Sequence, residues 1–325
     1  MEIYENILET LGNTPLVRLG RFFSGPPMLA AKVEYFNPGS SVKDRIGVAL
    51  IEAGEKSGQL RPGGTIVEPT SGNTGVGLAM AAALKGYRLV CTVLDKVPTE
   101  KITLLRALGA EVIVCPTEVA ADDPRSYYKV AERIRDEEGA YLPYQYYNQA
   151  NPESHYRSTG PEIWRQTDGK VTHWVCGIGT GGTISGVGKF LKEQNPQVRV
   201  IGVDTVGSVY AHFQKTGEMP PAEEIHPYLI DGIGEDFMPE TVWWQYVDDV
   251  VTVGDKAGYG ATVELARREG IFTGSSGGAA AEGARQVAAT LDSDAIVVTL
   301  FPDSGERYLS KLNNDWLTEK GLIES

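Results

Sequence analysis

The stretch from Gly64 to Leu94, GTIVEPTSGNTGVGLAMAAALKGYRLVCTVL, holds a whole structural unit. "GTIVEP" is a short apolar run closed by turn residues, which reads as a buried strand. "VGLAMAAALKG" is too long for a strand, is rich in alanine and ends in glycine, which reads as a helix. "RLVCTVL" is a second strand, and two strands joined through a helix lie parallel. The alternation continues with the helical "TEKITLLRALG", the strand "EVIVCP" and a charged helix around "YYKVAERIRDEEG". After the break "YLPYQYYNQANPESHY" come "THWVCGIG", "ISGVGKFLKEQ", "VRVIGVD" and, later, "DAIVVTLFPDSG". Parallel sheets with helices on both faces follow, an α/β fold. The aromatic, proline-bearing stretch from Tyr141 to Tyr156 is the best domain boundary. Between Val206 and Asp249 glycine, proline and acids interrupt the pattern, and "VWWQYV" predicts only a short strand.

The chain has 325 residues, 42% hydrophobic and 22% charged, enough for roughly two folded domains. "MEIYENILET" lacks the features of a signal or transit peptide, and no apolar run is long enough to span a bilayer. A cytoplasmic protein is expected. The net charge of −13 argues against nucleic acid and anionic membrane as partners, so a bound anion must be held by local geometry. Cys91, Cys115 and Cys176 sit inside apolar runs and read as buried small hydrophobes. The four histidines are scattered without ligand spacing, so no metal site is expected.

"FNPGSSVKDR", Phe36 to Arg45, places a lysine at a helix start. Pro38 and Gly39 break what precedes, Ser40 and Ser41 are N-cap residues, and Asp44 can close a capping box with Ser41. The helix then begins near Val42, with Lys43 in its first turn, where the macrodipole disfavours an ammonium. A solvated lysine is the ordinary reading, and an imine would remove the conflict. Two glycine-rich turns accompany it. "EPTSGNTGVG", Glu68 to Gly77, opens a helix with Thr70, Ser71, Asn73 and Thr74, and suits a carboxylate or phosphate. "GIGTGGTISG", Gly177 to Gly186, also joins a strand to a helix, and its glycines and threonines suit a phosphate. It equally satisfies G-x-G-x-x-G, with Asp204 at about the spacing of a ribose-binding acid, so a nicotinamide-dependent dehydrogenase competes. An aldehyde cofactor with one phosphate uses the lysine and both turns together; a dinucleotide leaves the lysine and the first turn unexplained.

"NTPLVRL", "NPGSSVKDR", "EPTSGNTG", "QYYNQANP", "GTGGTISG" and "GSSGG", in that order, resemble the pyridoxal-phosphate β-replacement enzymes, which include cysteine synthase and cystathionine β-synthase. The likeness runs from about Leu11 to the C-terminus. "SHY", "GKFLKEQN", "DGIGEDF" and "FPDS…YLSKLNNDWL" are more similar to the catalytic core of cystathionine β-synthase, "GPEIW" and "SGERYLS" to cysteine synthase. The resemblance implies the second fold type of pyridoxal-phosphate enzymes, similar to tryptophan synthase β: two domains, each an open, mostly parallel sheet flanked by helices. Residues 1–44 and 149–325 would form a large cofactor-binding domain, and 45–148 a small mobile domain for the substrate carboxylate. A homodimer acting on amino-acid and thiol substrates is implied.

The resemblance also implies roles. Lys43 corresponds to the Schiff-base lysine, which also takes the Cα proton, and Asn73 to the partner of the cofactor's ring hydroxyl. Gly179, Thr180, Gly181, Gly182 and Thr183 correspond to the phosphate cradle, and Ser276, or its neighbour Ser275, to the serine facing the pyridine nitrogen. Thr70, Ser71, Thr74, Gln145 and Gly232 correspond to the substrate site, and Tyr146 to a proton donor for a poor leaving group. A serine on the ring nitrogen makes a weaker electron sink than a carboxylate would, favouring loss of a β-substituent and addition of a thiol at Cβ. Asp231 and Glu235 stand where cystathionine β-synthases usually carry glutamate and tyrosine, which leaves the homocysteine side open. Neither haem nor adenosylmethionine control is expected.

Overall fold

A computed structural model of the chain describes residues 1–324 with the exception of Glu2, Ser71 and Ala121. Strands β1 (Leu16–Arg18) and β2 (Met28–Val33) come first, then α1 (Lys43–Ser57), β3 (Thr65–Pro69), α2 (Asn73–Lys85), β4 (Arg88–Leu94), α3 (Thr99–Ala107), β5 (Glu111–Cys115) and α4 (Tyr127–Glu138). Next are α5 (Ala150–Arg157), α6 (Thr159–Gln166), β6 (His173–Gly177), α7 (Gly182–Gln194), β7 (Arg199–Thr205) and α8 (Tyr210–Thr216). The chain ends with β8 (Asp249–Val253), α9 (Asp255–Glu269), α10 (Ser275–Ala288), β9 (Ile296–Phe301) and α11 (Asn314–Glu319). It divides into a smaller unit, Met1–Leu11 with Asn37–Asn151, and a larger one, Gly12–Phe36 with Pro152–Ser325. These divisions differ from the expected 44/45 and 148/149. Helix α1 packs along α2, which carries Lys43 with the smaller unit.

The smaller unit is built on a parallel sheet of order β3-β4-β5. Central β4 is buried from Leu89 to Val93, as expected of a parallel strand covered on both faces. Ile46, Leu50, Ile66, Leu78, Leu89 and Val93 share one core cluster, so α1 and α2 bury their apolar stripes together. Helix α4 starts where Ser126 Oγ accepts the Lys129 N–H at 3.2 Å and buries Val130, Ala131 and Ile134 at helical spacing.

The larger unit has a six-stranded sheet of order β1-β2-β9-β6-β7-β8, in which only β1 runs antiparallel to its neighbour. Val175, Val203, Val297 and Phe301, with Leu265 and Ala281, form its core. "VWWQYV" is not a strand. Trp244–Tyr246 form a single 3₁₀ turn, because the Trp244 ring packs on Phe213 of α8 at 5.3 Å instead of on a sheet face. Among the described residues no helix is long and apolar enough to cross a membrane.

Candidate active site

In the smaller unit the first residues of two helices are brought together by a backbone crossing. A Cβ on Gly47 would lie 2.3 Å from the Gly77 carbonyl carbon, and one on Gly77 would lie 2.5 Å from the Lys43 carbonyl oxygen. Side chains cannot enter that contact, so α1 and α2 touch through main chain, with Lys43 opening α1 and Asn73 opening α2. The expected capping box is rearranged. Ser41 Oγ accepts the Lys43 N–H at 3.2 Å, while the Asp44 carboxylate accepts the Gly39 N–H at 2.7 Å. Ser40, at φ 58°, makes the turn that delivers that N–H.

The first glycine-rich turn is organised by hydroxyls. Thr70 Oγ1 accepts the Gly72 N–H at 3.0 Å, and Thr74 Oγ1 donates to Gln145 Oε1 at 2.6 Å. With its oxygen engaged, the Gln145 amide has its N–H groups to offer to an acceptor such as a carboxylate. Thr70, Thr74 and Gln145 are all buried, and Tyr146 is half-buried next to Gln145. Ser71, expected in this group, lies outside the described residues.

Glu68 holds Gln145 in place and was not singled out from the sequence. Its carboxylate is fully buried and accepts the N–H of Gln145 at 3.0 Å and of Tyr144 at 2.8 Å. Burial pushes its pKa up to about 8 against an ordinary 4.5, with the two N–H bonds opposing that shift. Between about 4.5 and 8 the folded state keeps a proton that the unfolded state has released, so this group's contribution to stability falls as pH rises through that window. The slope attributable to it is at most about 1.4 kcal/mol per pH unit. Denaturation between pH 5 and 8 should show this decline in the wild type, and Glu68→Gln should lack it while starting from a lower baseline. Parallel declines in the two proteins would remove Glu68 as the source.

In the larger unit the second glycine-rich turn lies between β6 and α7. Gly181 has φ 85°, and a Cβ there would lie 2.2 Å from Val242 Cγ2; one on Gly179 would lie 2.5 Å from the Gly232 carbonyl oxygen. No side chain fits at either position, so Gly179 and Gly181 present bare backbone on either side of Thr180, ahead of Gly182, the first residue of α7. Such a helix start, flanked by Thr180 and Thr183, fits a phosphate dianion. Ser275 and Ser276 open α10, both buried. Ser275 Oγ accepts the Asp231 N–H at 3.1 Å, which favours the Ser276 hydroxyl as the partner of a ring nitrogen. Gly232, at φ 91°, packs beside it: a Cβ there would lie 3.9 Å from Ser276 Oγ. Asp231 also pairs with Lys311 Nζ at 2.9 Å.

Asp204 does not serve a ribose. It is fully buried, and its carboxylate accepts the N–H of Thr205 at 2.9 Å and of Ala211 at 2.8 Å. Sequence reasoning also missed His155, whose ring lies 3.3 Å from Thr183 Oγ1 through Nε2 and 2.9 Å from Thr159 Oγ1 through Nδ1. Its place in "NPESHY", between the domains' patterns, was a weak signal, and only the fold of α5 against α7 reveals the contact.

The sequence profile of a family described as "Pyridoxal-phosphate dependent enzyme" matches residues 7–303. A cystathionine beta-synthase of Dictyostelium discoideum is 41% identical over 99% of this chain and 64% of its own length. The chain thus spans less than two thirds of that curated relative. Among solved structures, O-ureido-L-serine synthase is similar at TM-score 0.88 and 34% identity, over 99% of this chain and 97% of its own. An O-acetylserine dependent cystathionine beta-synthase from Helicobacter pylori is similar at TM-score 0.86 and 36% identity, over 96% and 99% of the two chains. With a family profile that runs through both units, from residue 7 to 303, the chain belongs to the pyridoxal-phosphate dependent enzymes.

Proposed function

We propose that the chain catalyses β-replacement on L-serine or an O-activated serine, as a cystathionine β-synthase that joins L-serine and L-homocysteine into L-cystathionine with loss of water. The observation that carries this reading is Ser276, a buried hydroxyl at the start of α10. A hydroxyl does not hold a proton on a pyridine nitrogen as a carboxylate does, which favours elimination of a β-substituent over transamination. The likeness to the Dictyostelium cystathionine beta-synthase supports the substrate pair.

Pyridoxal phosphate, when bound, supplies an aldehyde for the substrate amine and a conjugated ring that stabilises negative charge at Cα. Lys43 would hold it through Nζ, Asn73 would hydrogen-bond its ring hydroxyl, residues 179–183 its phosphate and Ser276 its ring nitrogen. Thr70, Ser71, Thr74 and Gln145 bind and orient the substrate carboxylate, with Gly232 at the substrate's edge. The Lys43 amine takes the proton from Cα and is the base of the reaction. Tyr146 gives a proton to the departing oxygen at Cβ.

A second reading, cysteine synthase working on O-acetylserine and sulfide, is kept because the Helicobacter relative is O-acetylserine dependent. Purified protein offered serine or O-acetylserine with homocysteine or sulfide separates them. Cystathionine from serine and homocysteine supports the first reading; cysteine from O-acetylserine and sulfide alone supports the second. No product in any combination overturns both.

Hydroxide leaves poorly unless protonated, whereas acetate leaves unaided. Tyr146→Phe is therefore expected to lower turnover with serine by ~10²-fold more than with O-acetylserine. Equal losses with the two substrates would reduce Tyr146 to a wall of the site.

A further inference from the structure

The turn at 179–183 is held from behind by two side chains remote in sequence. Tyr210 Oη donates to the Gly179 carbonyl at 2.6 Å, and Thr241 Oγ1 donates to the Thr180 carbonyl at 2.5 Å. In a trans peptide the C=O of one residue and the N–H of the next point in opposite directions. Tying the Gly179 carbonyl to Tyr210 therefore turns the Thr180 N–H away from Tyr210. Tying the Thr180 carbonyl to Thr241 does the same for the Gly181 N–H. The strap bearing Thr241 is itself fixed to α7, since Ser185 Oγ donates to the Thr241 carbonyl at 2.9 Å and accepts the Trp243 N–H at 2.8 Å. Val242, between them, occupies the space that denies Gly181 a side chain.

We propose that Tyr210 and Thr241 are positioning residues that aim the Thr180 and Gly181 N–H groups at a phosphate dianion, so that each hydroxyl raises affinity for the phosphate without touching it. This rests on the reading of 179–183 as the phosphate cradle. Both residues are fully buried, so neither serves solvent or a surface partner. Burial, and then the acids Glu235 and Asp204 nearby, push the Tyr210 phenol well above its ordinary pKa. It stays protonated and remains a donor. Removing either hydroxyl leaves a carbonyl, buried at Thr180 and partly buried at Gly179, without that partner and frees the peptide to rotate, which costs anion binding more than folding.

The test compares two probes, pyridoxal phosphate and pyridoxal, titrated by absorbance into full-length protein stripped of cofactor. The wild type should prefer the phosphorylated probe strongly. Tyr210→Phe and Thr241→Val should each lose about 3- to 10-fold of that preference, the weight of one hydrogen bond, with affinity for pyridoxal unchanged. The ³¹P resonance of the bound phosphate should shift in both variants, and Thr241→Ser should restore it. If Tyr210→Phe fails to fold, the Thr241→Val and Thr241→Ser pair decides alone. A wild type without preference for the phosphate would overturn the cradle reading. A wild-type preference kept in full by Thr241→Val, or a loss equal for both probes, would overturn the positioning role and leave the cradle standing.

Discussion

Lys43→Ala is expected to lower turnover by at least ~10³-fold, in the upper range of what a positioned acid or base contributes. Borohydride treatment should add the mass of the reduced cofactor to the wild-type chain and not to the variant. The fold should survive the change. Alanine is the best helix former, and the α1/α2 contact uses the Lys43 carbonyl, not its side chain. A loss of activity can therefore be assigned to the missing amine once the thermal midpoint is found close to wild type. Lys43→Arg, which keeps a positive charge but offers no nucleophilic amine at neutral pH, should be equally inactive. Cofactor fixed by borohydride to another lysine in the variant, or activity within tenfold of wild type, would sink the assignment.

Gly77→Ala is expected to be among the most damaging single methyls in the smaller unit. The added carbon would lie 2.5 Å from the Lys43 carbonyl oxygen and 3.1 Å from Asp44 Cα. Those are main-chain atoms of a helix and cannot swing aside as a side chain would. The helices must separate, and the cost should reach or exceed ~3 kcal/mol, the upper end for overpacking. For a unit of this size that corresponds to a thermal midpoint lower by roughly 11 °C. Gly47→Ala, whose methyl would meet Gly77 from the opposite side, should behave alike. The pair gives an internal check: because both substitutions open the same contact, the double variant should cost less than the sum of the two. Activity should fall as well, since the crossing sets where Lys43 and Asn73 begin. An unchanged midpoint in either single variant would show that the helices slide apart without penalty.

What the sequence made legible was periodicity and local turn chemistry. The alternation around Gly64–Leu94 predicts β3 and β4 where they lie and α2 with a start three residues late. The two glycine-rich turns are visible because a strand, a run of small residues and a helix adjoin in the chain itself. Contacts between distant segments left no such trace. Nothing in "VDTVGSVYAHF" says that the Tyr210 phenol reaches Gly179, and nothing in "EPT" says that Glu68 anchors a loop 76 residues away. "VWWQYV" misled because bulky aromatics favour strands on average, yet here they cover a short helix. Asp204 misled for the opposite reason. Its spacing suited a ribose, but the carboxylate is fully buried and accepts the N–H groups of Thr205, at the end of β7, and Ala211, in the first turn of α8.

The place of β9 has a consequence for the timing of synthesis. It lies between β2 and β6 in the six-stranded sheet, with Met28 beside Ile296 and His173 beside Val297. A ribosome adding ~5–20 residues per second takes roughly 13–50 s to travel from β2 to β9. Through that interval Leu29–Val33, buried in the finished sheet, has β1 on one edge and nothing on the other, while the contiguous stretch 37–151, complete well before β9, contains all three strands of the small sheet. The nascent chain therefore carries a finished small sheet ahead of an unfinished large one. A chain ending between Val253 and Ile296 would hold β1–β2 and β6–β8 as two fragments of a sheet with no strand to join them.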